Sequence, residues 1–185
     1  ISQQTAPKHR SIKYIPIGAP VTEEVTDLSA DGELKVVYAG RIDENQKRIS
    51  DVAHAFCLAA KAVPGTSYTI YGDGPAVPVV QEILNTSGKD LPVQFKGKLK
   101  STEVQAHLLQ NQVFVLLSEF EGLPITLMEA MSCGLVSICT NMRSGISDLI
   151  TNNLEGILID DRKDEFVAAI KQLKENPALW KQMSE

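Results

Sequence analysis

At 185 residues the chain has the length of one globular domain, and a domain of that size buries roughly 70% of its unfolded surface. Hydrophobic residues form 43% of it, charged residues 22% and aromatic residues 5%, which excludes a disordered chain and suits an aliphatic α/β core. The net charge of -5 argues against nucleic acid or an anionic membrane surface as the main partner, so any anion site has to be local.

The first 33 residues differ from the rest. Ile12 to Gly18 reads as a short strand broken by Pro16 and Gly18, and the polar stretch from Glu23 to Glu33 reads as a linker. From Leu34 onward apolar β-rich runs alternate with segments of helical period. Strands are expected at Leu34–Gly40, Ser67–Tyr71, Val93–Phe95, Val113–Leu117, Leu135–Cys139 and Gly156–Ile159. Helices are expected from Ile49 to Val63, stopped by Pro64-Gly65, and over Val77–Leu84, Thr102–Leu109 with Thr102 as N-cap, and Ile125–Ser132. Further helices are expected near Ile146–Thr151 and over Lys163–Glu175 and Ala178–Met183. Six apolar strands separated by helices call for a parallel sheet, because each crossover lays a helix on a face. The expected class is therefore a doubly wound, Rossmann-like α/β domain over residues 34–185, with ligands at the carboxyl ends of its strands.

Three strand-end loops carry unusual residues. Gly40 to Arg48 places Arg41, Lys47 and Arg48 just before a helix, where positive charge opposes the helix dipole unless an anion sits there too. A phosphate gripped by Arg41 and Lys47 would meet that need; the alternative is a solvated loop in which Asp43 and Glu44 pair the cations. Gly72-Asp73-Gly74-Pro75 follows the second strand, and by itself reads only as a tight turn. The third loop is the richest. Ser118 to Met131 ends a strand, carries Glu119 and Glu121, starts a helix with Pro124 as its expected first residue, and places Glu129 inside an apolar helix. A carboxylate there is either paired or reserved for hydroxyl donors, and the helix start from Gly122 to Thr126, with Leu123, Pro124 and Ile125 between, offers free N–H groups that suit a phosphate oxygen. Local pairing of Glu121 and Glu129 is the bland alternative.

Other signals are weak. His9, His54 and His107 read as ordinary surface residues, and Cys57, Cys133 and Cys139, odd in number and without a CxxC pair, read as reduced core thiols. The Asn85-Thr86-Ser87 sequon reads as accidental. No apolar run reaches the roughly 18 residues of a membrane span and no signal layout opens the chain, so a cytoplasmic location is expected.

Taken together, these loops resemble the carboxyl-terminal domain of GT-B glycosyltransferases of family 4, from about Ile12 onward. Arg41 and Lys47 match that family's phosphate-binding pair at the same spacing, Glu121 and Glu129 its E-x7-E motif, and Gly72 to Pro75 its GxGP turn. Ser144 to Asp148 resembles its later G-x-x-E/D loop. The resemblance implies a nucleoside diphosphate sugar such as a UDP-, GDP- or ADP-sugar as substrate, with no cofactor and no metal. It implies Arg41 and Lys47 on the diphosphate, Glu129 on ribose hydroxyls and Glu121 on sugar hydroxyls. Gly40, Gly72 and Gly74 would border the donor, the main chain of Gly97, Lys98 and Leu99 would hold the base, and the Gly122–Thr126 helix start would complete the phosphate site. It further implies transfer with retention of configuration. An amino-terminal acceptor domain, absent from this chain, would be the partner and could bring the protein to a membrane periphery; alone, the chain is expected to bind donor without completing transfer. Two departures stand out: Arg48 occupies a position usually held by Gly, and Pro16-Ile17-Gly18 replaces the commoner Pro-Asn-Gly. A sugar-nucleotide epimerase of the same fold and a catalytically inactive donor-binding domain are the alternatives; the Arg41–Lys47 loop argues against a glycosidase built on the two carboxylates.

Overall fold

The computed structural model describes residues 22, 24–28, 32–142, 146, 149–151 and 153–185. The expected strand at Ile12–Gly18, His9, and the Ser144–Asp148 loop apart from Ile146 lie outside the described residues, as does part of the expected helix near Ile146–Thr151.

Six strands and six helices, alternating as far as β5, follow one another among the described residues: β1 Leu34–Ala39, α1 Ile49–Ala62, β2 Thr66–Tyr71, α2 Val77–Thr86, β3 Val93–Gly97, α3 Val104–Leu108, β4 Val113–Leu116, α4 Ile125–Ser132, β5 Val136–Thr140, β6 Gly156–Ile159, α5 Asp164–Glu175 and α6 Pro177–Ser184. The sheet has the order β3-β2-β1-β4-β5-β6 and every pairing is parallel. The order reverses between β1 and β4, so a crevice is expected where the loops after these two strands diverge. That central ladder is short: Val36 pairs with Val113 and Val37 with Phe114, whereas β1 and β2 are in register along their whole length.

Side chains on the two faces of the sheet feed separate cores. Val36, Tyr38, Tyr68, Ile70, Val115 and Ile138 pack with Phe56 of α1, Val80 of α2, Phe166 of α5 and Trp180 of α6. Val37, Ala39, Tyr71, Phe114, Leu116 and Cys139 pack with Leu108 of α3 and Leu127 and Ala130 of α4. The second layer is the thinner one, because α3 has five residues. β2 and β3 accordingly alternate in burial, with Gln94 and Lys96 exposed, while β4 and β5 are buried throughout. Trp180 is buried and donates Nε1–H to the Gln112 carbonyl at 2.9 Å, which fastens the last helix beneath β4.

Three expectations need correction. Thr102 does not cap α3: the helix starts two residues later, and Glu103 instead accepts the Lys100 amide with its own carboxylate at 3.1 Å. Pro124 is the N-cap of α4 rather than its first helical residue; its backbone is extended (φ -78°, ψ 103°) and its carbonyl takes the first helical bond, from Leu127 at 3.1 Å. His107 is no ordinary surface residue, since its ring lies half-buried 5.0 Å from that of Tyr71 and shares a 3.2 Å hydrogen bond with the Tyr71 hydroxyl. All three cysteines are buried and unbridged, as expected.

Candidate functional site

The loops after β1, β2 and β3 and the start of α4 enclose a cleft of about 400 Å³. Its lining includes Gly40, Arg41, Gly72, Asp73, Gly74, Lys98, Leu99, Val104 and Thr126. Two larger hollows, of about 560 and 630 Å³, lie elsewhere, one between α1 and the start of α5 and one on the thinly covered sheet face by β2 and β3. Neither gathers the strand-end loops, so the smaller cleft is the better candidate on chemical grounds.

The floor of the cleft explains the GxG turn. Gly40 N–H donates to the Tyr71 carbonyl at 3.2 Å, Ile42 N–H to that of Asp73 at 2.9 Å, and Gly72 N–H to that of Gly97 at 2.9 Å, which continues the sheet past its strands. A Cβ on Gly72 would run into the Gly40 carbonyl oxygen, and one on Gly74 into that of Ile42. The two glycines therefore let three loops zip together at the level of the main chain. At the far side Gly97 has φ 74° and open space where a side chain would be, and neither the Lys98 nor the Leu99 main chain has a hydrogen-bond partner among the described residues.

The cation-bearing loop is resolved differently from the electrostatic expectation. The anion at the start of α1 is the chain's own: the Glu44 carboxylate accepts the Ser50 N–H at 3.1 Å and the Ser50 hydroxyl at 2.6 Å. The dipole argument for a phosphate at that spot therefore fails, because a carboxylate already fills it. Asp43 takes the Gln46 amide at 2.9 Å rather than pairing a cation. Arg48 turns away from the cleft to Asp51, at 3.0 Å. It does so from a left-handed backbone (φ 51°, ψ 45°), a conformation costing a non-glycine residue roughly 1 to 2 kcal/mol and a sufficient reason for glycine to be favoured there. Arg41 is exposed at the mouth, and its side chain is unpaired among the described residues.

Lys47 and Glu121 do not line the cleft but hold each other. Lys47 Nζ lies 2.5 Å from Glu121 Oε1, and Ser118 Oγ and Gln46 Nε2 donate to the same carboxylate at 2.6 and 3.2 Å. Burial pushes the Tyr38 hydroxyl well above its ordinary range, with the negative charges of Glu121 and Asp43 adding to it, so it stays protonated and donates to the Arg41 carbonyl at 2.7 Å. On the α4 side the amides of Ile125 and Thr126 have no acceptor among the described residues, because a proline cap offers no side-chain oxygen. Gly122, Leu123 and Ile125 are exposed beside the cleft. Glu129 is half-buried in a small cavity of about 70 Å³ with Ser101, Val104 and Gln105; Val104 borders the main cleft as well. Its carboxylate has no hydrogen-bond or ionic partner among the described residues, and burial raises its pKa above the ordinary carboxylate value.

Sequence reasoning passed over Gln46, Ser118 and Arg162. Gln46 bridges two loops, accepting the Glu119 amide at 2.8 Å and donating to Phe120 O and Glu121. Arg162, which precedes α5, grips the β4–α4 loop from the opposite side, donating to the carbonyls of Leu117 and Ser118 at 3.0 and 3.2 Å and to Glu119 at 3.0 Å. No local pattern marks either contact, since the partners of Arg162 lie 43 to 45 residues away.

Residues 22–185 match the family model for glycosyl transferases group 1. The chain belongs to that family. Among curated relatives it is 28% identical over 162 residues to the GtfA subunit of the UDP-N-acetylglucosamine–peptide N-acetylglucosaminyltransferase of Streptococcus pneumoniae, covering 87% of this chain and 31% of that protein. It is 30% identical over 167 residues to the lipopolysaccharide 1,6-galactosyltransferase of Salmonella typhimurium, covering 88% and 45%. The chain thus spans less than half the length of these relatives. Its fold is that of S. aureus TarM, solved with UDP, at a TM-score of 0.77 and 24% identity over 91% of this chain and 32% of that one. The six-stranded parallel sheet with helices on both faces is therefore a Rossmann-like fold of the kind found in GT-B glycosyltransferases.

Proposed function

We propose that this chain is the donor-binding part of a glycosyltransferase that uses a nucleoside diphosphate sugar, with UDP-sugars the first candidates. The observation that carries the reading is the half-buried Glu129 carboxylate, without a partner among the described residues, beside a cleft lined by Arg41, Lys98 and the free amide end of α4. A lone carboxylate suits sugar or ribose hydroxyls, and cations with free N–H groups suit a diphosphate. One molecule containing both is a nucleotide sugar. The choice of uridine draws on the relatives: the pneumococcal transferase is named for UDP-N-acetylglucosamine, and TarM was solved with UDP.

In this reading Arg41 and a released Lys47 hold the diphosphate and carry its growing charge as the bond from the anomeric carbon to the phosphate oxygen breaks. The acceptor hydroxyl oxygen bonds to the anomeric carbon on the same face, giving retention, and its proton passes to the departing diphosphate. Glu121 and Glu129 orient hydroxyls, and the side-chain cations take the place of a metal ion. Acceptor binding belongs to a further domain, so the chain alone binds donor without turnover.

Calorimetric titration with UDP, GDP and ADP and their sugars, with EDTA present, tests the reading. Selective binding of one nucleotide that survives EDTA and falls at least tenfold in Lys47→Ala is expected. A folded protein that binds none of them would refute it.

A further inference from the structure

The Lys47–Glu121 pair is turned inward, with side chains only 14% and 5% exposed. Its two ends are held unequally. Glu121 keeps Ser118 Oγ and Gln46 Nε2 as further donors, and Gln46 is itself tied down through the Glu119 amide. The Lys47 ammonium has Glu121 as its one side-chain partner among the described residues. It sits at the end of a flexible four-carbon stem, so Lys47 is the part that can swing while Glu121 stays fixed. A paired ammonium in a poorly solvated site is not open to another anion until the first has been displaced.

We propose that this pair is the resting, self-occupied state of the donor site, and that Glu121 thereby makes the site prefer a whole nucleoside diphosphate sugar over the nucleoside diphosphate alone. The inference rests on the donor-site reading above. A diphosphate arriving by itself draws Lys47 away and strands a nearly buried carboxylate with two neutral donors. A diphosphate bearing a sugar draws Lys47 away too, but brings hydroxyls that donate to Glu121 in its place. Both ends of the broken pair are then matched again. The product of transfer is the ligand without the sugar, so re-formation of the pair helps to expel it.

The test is titration of the chain and of Glu121→Gln with UDP and with UDP-N-acetylglucosamine, UDP-glucose and UDP-galactose. Removing the competing charge frees Lys47, so UDP should bind Glu121→Gln about tenfold more tightly, while the sugar nucleotide gains nothing or weakens. The preference between them should shift toward UDP by tenfold or more. Glu121→Asp, which keeps the charge but withdraws it by one methylene, should move UDP affinity the same way by a smaller factor and serves if the glutamine variant fails to fold. UDP affinity unchanged or weakened in a folded variant, with wild type binding normally, overturns this inference alone. Binding of no nucleotide by wild type or variant overturns the donor-site reading and this inference with it.

Discussion

The carboxylate of Glu129 shows how a candidate functional residue departs from what folding favours. A glutamate on an otherwise apolar helix was visible in the sequence as an anomaly, with pairing and ligand duty both open; among the described residues it has no partner. Its raised pKa means that the folded state holds the proton more tightly than the unfolded chain does. The ionised form is thus penalised, and that penalty is absent at low pH and grows as pH rises through the window above the ordinary carboxylate value. Glu129→Gln should therefore raise the melting temperature at pH 7.5, and the gain should shrink as the pH is brought toward 4.5, followed by thermal scans at both values. The same variant should bind nucleotide more weakly. Arg48 and Glu44 teach the opposite lesson. The charge count of their loop was legible, but not which carboxylate would reach the helix end, because Glu44 does so through a backbone path that composition does not encode.

At the scale of elements, periodicity located every strand and helix from β1 to β5 and from β6 to α6 to within a few residues, because each is long enough to show its apolar spacing. What it missed were the ties between loops. The segment from Ser118 to Pro124 has no regular structure, yet Arg162, Thr140 and Gln46 all bond to its main chain or to its first residues. Arg162→Ala leaves the buried Leu117 and Ser118 carbonyls short of a charged donor. Such bonds contribute about 1.5 to 3 kcal/mol each, although the guanidinium is partly solvated and Thr140 still serves Ser118. A loss of about 1 to 2 kcal/mol is expected in urea titration, with weakened nucleotide binding as the loop loosens. An unchanged midpoint would show that the grip contributes nothing.

Across the whole molecule the parallel sheet was legible because alternating strand and helix patterns permit few other arrangements, and so was a cleft at the carboxyl ends of the strands; the strand order and its reversal between β1 and β4 came from the structure. The thin layer over β2 and β3 was not legible, since it depends on how short α3 turns out to be. Among the described residues no helix is long and apolar enough to cross a membrane. The site draws on loops from both halves of the sheet, residues 40–48 from one and 118–129 from the other, while the β1–β4 ladder has two registered pairs, Val36–Val113 and Val37–Phe114, extended by the bonds between Lys35 and Gln112. Nucleotide binding should therefore slow amide hydrogen exchange in β1 and β4 more than in the edge strands β3 and β6, and uniform slowing would contradict this. A short central ladder leaves the two halves of the sheet joined by fewer registered pairs than their neighbours, and a ligand spanning both halves acts as a clasp. On the donor-binding reading proposed above, the lifetime of the folded protein then depends on how well it is supplied with sugar nucleotide.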